Sequence, residues 1–290
     1  MLSLILQSLI NGLVAGLMFA LMGVGFTLIF GVMDVANFAQ GEFFMLGAFT
    51  VYYFTSLFGV DPSVSILLGG FFTFISGFAF EKWILSALRA KVKEWLSTTI
   101  IFTIGLSEVI KNLAVVEFGP RAKPLGYLYP GTIRGAGLII SVERLVISLF
   151  GVALIILTWF ILNRTRTGKA MQAIAQNPEL AKLVGINLNR IYSITFGMGA
   201  ALAGLAGGLL SPITGVFPYC GYYIIIYMFA VVVLGGFGSV PGAIIGGLII
   251  GTAASLTTVF LGAAWDKIFA FSIMVIVLLI KPKGILGVGK

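Results

Sequence analysis

The chain has 290 residues, of which 59% are hydrophobic and 10% charged, with a formal charge of +8 and a mean hydropathy of +1.12. Soluble domains carry about 25% charged residues, so this composition excludes a water-soluble globular fold and reads as an all-α polytopic membrane protein. A single cysteine, Cys220, rules out an intrachain disulfide or thiolate metal cluster, and the lack of histidine removes the usual proton relay and metal ligand.

A span needs about 20 apolar residues to cross about 30 Å of hydrocarbon. Leu4–Phe30 is the first such stretch. It is too long for the apolar core of a cleaved signal and no basic residue precedes it, so it is expected to be a retained span. Its Gly12-x-x-x-Gly16 puts small residues on one helix face. A break then runs from Gly31 to Gly47, where Asp34, Asn37, Gln40, Gly41 and Glu42 interrupt the apolar pattern before a glycine-spaced helix resumes at Phe43. This break is expected to be buried or pore-lining, because an acidic group near lipid is costly and faces a cavity or partner. Asn37, Gln40, Gly41 and Glu42 are therefore candidates for the translocation path. Glu42 has an equally good structural reading as a first-turn acid capping the helix that follows.

Val64–Leu85 and Ser97–Val116 are the next spans, with Lys82, Arg89, Lys91 and Lys93 between their cores. Glu108 and Lys111 stand one helical turn apart and are expected to pair on one face, snorkelling toward the outer interface. The loop 117–144 alternates Pro120, Pro124 and Pro130 with Gly119, Gly126, Gly131, Gly135 and Gly137 around Tyr127 and Tyr129. That punctuation predicts irregular turns. A solvated connector and a docking surface for an extracytoplasmic partner both fit it.

After the span Leu145–Leu162 comes a charged interruption, residues 164–190. Thr167 is expected to cap a short helix reaching about Ala175. Asn177, Pro178 and Glu179 then follow in the order N-cap, first-position proline and first-turn acid, and Gly185 ends a second short helix. With Arg166, Gly168, Lys169, Lys182 and Leu183 this makes a compact basic knob, more helix punctuation than a solvated loop needs. Ile191–Ile213 and Phe217–Leu234 are apolar again. A second break, Gly235–Gly247, resembles the first, and paired interruptions point to a transporter midplane site. Gly236 and Ser239 thus join the path candidates, although this break is read first as a surface turn. Ile268–Ile280 precedes a tail with Lys281, Lys283 and Lys290.

Basic residues favour the cytoplasmic side. The clusters at 82–93, 164–190 and the C-terminus are therefore placed inside, and 117–144 and the N-terminus outside. The result is one transmembrane domain over 1–290 with about eight or nine crossings and two broken or re-entrant segments.

Three ordered motifs now carry a family resemblance. They are Asn11-Gly…Gly25-Phe-Thr-Leu-Ile-Phe-Gly-Val…Asn37-Phe-Ala-Gln-Gly-Glu-Phe, Arg166-Thr-Gly-Lys-Ala…Leu183-x-Gly-Ile-Asn, and Leu234-Gly-Gly-Phe-Gly-Ser-Val-Pro-Gly-Ala. Over nearly the whole chain they resemble branched-chain amino-acid ABC-transporter permeases, the shorter permease subunit in particular. Gln40 stands where histidine is common in that family. The resemblance implies an ATP-driven importer in which this chain works with a second homologous permease, two cytoplasmic ATPase subunits and an external solute-binding protein. It also implies that the 164–190 knob couples to the ATPases through Arg166, Gly168, Lys169, Asn177, Pro178, Glu179, Lys182, Leu183 and Gly185. No cofactor, metal or nucleic acid is expected on this chain. Gly168-Lys169 is followed by Ala170 and lacks an upstream phosphate-loop glycine, so ATP hydrolysis belongs to partner subunits. Urea or short-amide permeases are close relatives of that family. An ion-coupled secondary carrier is the alternative from another class.

Overall fold

The computed structural model describes residues 2–135 and 138–287, so Gly137 and Lys290, named above, lie outside the described residues. The first half contains α1 (Leu2–Met33), α2 (Gln40–Ser56), α3 (Pro62–Phe80), a π-helical turn (Glu81–Leu85), α4 (Ser86–Arg89) and α5 (Trp95–Phe118). Two strands follow, β1 (Thr132–Gly135) and β2 (Leu138–Ser141), and then α6 (Val142–Arg164). The rest comprises α7 (Arg166–Gln176), α8 (Pro178–Leu183), α9 (Leu188–Thr214), α10 (Cys220–Gly235), α11 (Val240–Leu261) and α12 (Asp266–Ile280).

Among the described residues, six helices are long and apolar enough to cross a membrane. With the shorter α2, α10 and α12, nine helical segments among the described residues alternate in direction between two ends. This is roughly consistent with the eight or nine crossings expected.

The core is built on α1 and α9. Their apolar windows are 78% and 83% buried within the chain, against 17% for α5 and 22% for α6, which lie at the periphery. Glycine makes this centre possible, because backbones approach closely where no side chain intervenes. Gly12 and Gly16 of α1 meet Gly247, Gly251 and Thr252 of α11, and a methyl group on Gly251 would collide with the Gly16 backbone. Gly204 and Gly207 of α9 receive α2 in the same way at Gly47 and Phe44.

The loop 117–144 keeps the expected irregular turns from Gly119 to Gly131 and adds an element that was not expected. It contains an antiparallel hairpin pairing Thr132 with Ser141 through Gly135 with Leu138. Period-2 alternation over so few residues was masked by the surrounding glycine and proline. The loop lies back on the outer helix ends. Lys123 pairs with Val216 through two backbone hydrogen bonds, and the Tyr129 hydroxyl is 2.6 Å from that of Ser63.

All three basic clusters assigned to the cytoplasm share one end. Arg89 reaches Asn189 beside the knob at 3.5 Å, and Gly236, in the turn before α11, packs against Gly284 and Gly287 of the basic tail. The hairpin loop sits at the other end.

Candidate functional site

α1 ends at Met33, and the next residue, Asp34, is exposed and adopts a left-handed backbone (φ 54°). Residues 35–39 then run without helix, and an unpaired backbone there would be costly in hydrocarbon. The polar residues of the break supply the missing partners. The Asn37 side-chain oxygen accepts from the Ala39 amide at 3.0 Å, and its amide donates to Gln40 Oε1 at 3.1 Å. Gln40 Nε2 donates to the Gly199 carbonyl of α9 at 2.8 Å, and the Phe38 amide donates to Thr103 Oγ1 of α5 at 3.2 Å. Asn37, Gln40 and Glu42 are no more than 1% exposed, so the break is buried.

Gly41 lies in the first turn of α2 and Gly221 in the first turn of α10, back to back. A Cβ on either would collide with the other's carbonyl. The two helices diverge from this point, α2 toward the outer end and α10 toward the basic end. Glu42 does not cap its own helix. Its Oε1 accepts from the Ser107 hydroxyl of α5 at 2.8 Å, and its Oε2, though buried, has no hydrogen-bond partner. A carboxylate with a free oxygen inside a bundle is an acceptor waiting for a donor. One turn along α5, Lys111 pairs with Glu108 at 2.5 Å and lies 5.7 Å over the Tyr222 ring of α10.

The second break is a tight turn exposing Phe237 and Gly238. Gly236 has φ 99°, and Ser239 Oγ accepts from the Gly242 amide at 3.1 Å, so this hydroxyl caps α11. The amides of Ile285 and Leu286 donate to the last carbonyls of α10. The two breaks touch where Gly31 packs on Gly238, but their polar residues face different elements. Asn37–Glu42 meets α5, α9 and the start of α10, whereas Gly236 and Ser239 meet the tail and the start of α11.

In the knob, the first cap is Thr165 rather than Thr167. Its hydroxyl accepts from the Gly168 amide at 3.1 Å, and α7 begins at Arg166. Both threonines satisfy the cap pattern, and packing chooses. Gly168 lies directly on the Ile161 and Leu162 carbonyls of α6, where a side chain would collide, so α7 must turn immediately at the end of α6. Asn177 Oδ1 accepts from the amides of Glu179 and Leu180, each at 3.0 Å, with Pro178 at the first helical position. Gly185 ends the unit at φ 86°. Met171 and Ile174 anchor α7 inward, while Arg166, Lys169, Glu179 and Lys182 face solvent. Leu180, Leu183 and Val184 are 59%, 82% and 76% exposed, an apolar tip on a charged knob.

One cluster had no counterpart in the sequence reading. Glu81, fully buried in the π-helical turn, pairs with Arg89 at 2.6 Å and accepts from the Ser193 hydroxyl of α9. The Arg89 guanidinium lies over the rings of Tyr192 and Trp95, at 4.2 and 4.8 Å. This clamp ties the inner ends of α3, α5 and α9 together beside the knob. Its one sequence signal is an acid inside the end of an apolar span, two turns before an arginine.

Residues 8–278 match the family model described as branched-chain amino acid transport system / permease component. The chain is 33% identical to the high-affinity branched-chain amino acid transport system permease protein LivH of Salmonella typhimurium, covering 97% of this chain and 95% of LivH. It is also 33% identical to the corresponding protein BraD of Pseudomonas aeruginosa, with the same coverage. Among solved structures, the chain resembles PsaBC from Streptococcus pneumoniae in complex with Fab, with a TM-score of 0.54 at 17% identity over 96% of this chain and 92% of that one. That last likeness speaks for the fold.

Proposed function

We propose, for a chain that belongs to the family of branched-chain amino acid transport permease components, that it is the membrane-spanning permease of an ATP-driven importer of branched-chain amino acids. Two cytoplasmic ATPase subunits hydrolyse the nucleotide, an external binding protein delivers the solute, and a second homologous permease completes the pair. This chain carries no cofactor of its own.

One observation carries the reading: the capped knob at the basic end presents Leu180, Leu183 and Val184 to water. Exposed large apolar side chains on a rigid, charged element mark a protein-binding surface. Seated in an ATPase groove, the knob would transmit ATPase closure to α6 and α9, the helices it joins, and through the Glu81–Arg89 clamp to α3 and α5. Such rocking moves solute only if the two states differ in their contacts with it, and the buried break at Asn37–Glu42 lies between those helices. A second permease fits against the peripheral α5, whose Glu108 side chain is 56% exposed. Facing lipid, such a carboxylate would be costly.

The test is ATP-driven leucine uptake by vesicles holding the complete membrane assembly. Leu183→Asp places a charge on the apolar tip, and Gly185→Pro demands a φ that Pro does not reach from 86°. Both are expected to leave the amount of chain in the membrane unchanged and to abolish uptake. Normal uptake by both removes the coupling role.

A further inference from the structure

Near the outer end, between α1, α9, α10 and α11, lies a chamber of about 490 Å³. That is within the range of about 300–1,000 Å³ typical of small-molecule sites. Its inner wall is apolar and buried, formed by Val14, Phe19, Phe44, Leu210, Ile224 and Tyr227. Phe19 and Tyr227 stack at 4.8 Å to make a flat floor. Two charged residues also line the chamber, Arg144 in the first turn of α6 and Asp266 at the start of α12. They do not pair with each other, since the ion pairs among the described residues are Glu81–Arg89 and Glu108–Lys111. Asp266 Oδ1 is buried and has no hydrogen-bond partner, while the carboxylate as a whole lies beside the Tyr227 hydroxyl.

Opposite charges left unpaired around an apolar chamber are expensive unless something joins them. Asp266 does sit where an acid favours the helix dipole, but that role leaves its buried oxygen unpartnered. A lipid tail would fill the apolar volume and leave both charges as they are. A molecule with a carboxylate, an ammonium group and a branched or straight aliphatic side chain answers every feature at once.

We propose that this chamber is an outward-facing subsite for a zwitterionic aliphatic α-amino acid. The carboxylate lies toward Arg144, the ammonium toward Asp266, and the side chain on the Phe19–Tyr227 floor. The identity of the solute rests on the permease reading above; the chamber's charge pattern does not.

Cys220, the chain's one cysteine, is replaced by serine, and Ser255→Cys places a single reporter thiol in the chamber wall. The assembly stays in its own membranes and is labelled from outside with an impermeant maleimide. Leucine is expected to slow labelling, whereas isoamylamine and 4-methylpentanoate, each lacking one charged end, are not. Arg144→Gln and Asp266→Asn should each raise the leucine concentration needed for protection by about tenfold or more, and Arg144→Lys should recover part of the loss. Labelling without leucine checks that each variant is folded. Failure of leucine to protect, in membranes that still take up leucine with ATP, overturns the subsite and spares the permease reading. Equal protection by all three compounds, the mark of a merely apolar or lipid-filled groove, also overturns it. Protection by leucine in membranes that do not transport it keeps the subsite and overturns the transport reading.

Discussion

Gly41 and Gly221 decide where two helices begin. Their carbonyls occupy each other's Cβ positions, so α2 and α10 start against one another only because neither residue has a side chain. Overpacking of this kind costs about 1–3 kcal/mol. Gly221→Ala should therefore lower the melting temperature of the detergent-solubilised protein clearly, whereas Gly105→Ala, with nothing within 4 Å of the added methyl group, should not. Equal melting for both variants would contradict the close approach. The neighbouring polar residues were legible as unusual, but their division of labour was not. Asn37 and Gln40 satisfy the backbone of the break, and Glu42 alone keeps a free oxygen. A sequence names the polar groups in a break, while hydrogen-bond partners such as Gly199 come from elements distant in the chain.

At the scale of the element, the knob was the most readable part of the chain, because capping is local. Asn177, Pro178 and Gly185 take the roles that their spacing predicts. The first cap shifted from Thr167 to Thr165 because the close contact of Gly168 with α6 fixes where the turn lies. Loss of an N-cap costs about 1 kcal/mol. Asn177→Ala should thus speed amide exchange across residues 179–183 about fivefold, and Asn177→Asp should restore slow exchange. Unchanged exchange in the alanine variant would mean the cap does not hold α8. The Glu81–Arg89 clamp shows the opposite limit. Its ring partners Trp95 and Tyr192 lie on other helices, so nothing local announces it.

For the whole molecule, charge placement sets direction. The basic clusters and the knob share one end, and the hairpin loop the other. Single cysteines replacing Lys169 or Lys182 should react with an impermeant thiol reagent only from the cytoplasmic face, and one replacing Arg121 only from outside. Labelling of Lys169→Cys from outside would invert the orientation and detach the knob from any cytoplasmic motor. Burial also separates the helices by role. α1 and α9 form the packed centre, whereas α5 and α6 leave most of their surface outside the packed bundle.

Composition and hydropathy alone determined that this is a helical, multi-pass membrane protein, where most of its spans lie, and which end is basic. They suffice because the bilayer imposes its length and polarity on every spanning segment independently. Local capping likewise determined the knob. Only the tertiary structure decided that the first break is buried and the second a surface turn, that Glu42 faces Ser107, and that Arg144 and Asp266 open on one chamber. Each of those depends on which helices lie side by side, and glycine-lined backbones choose their neighbours through shape, which a hydropathy pattern does not record.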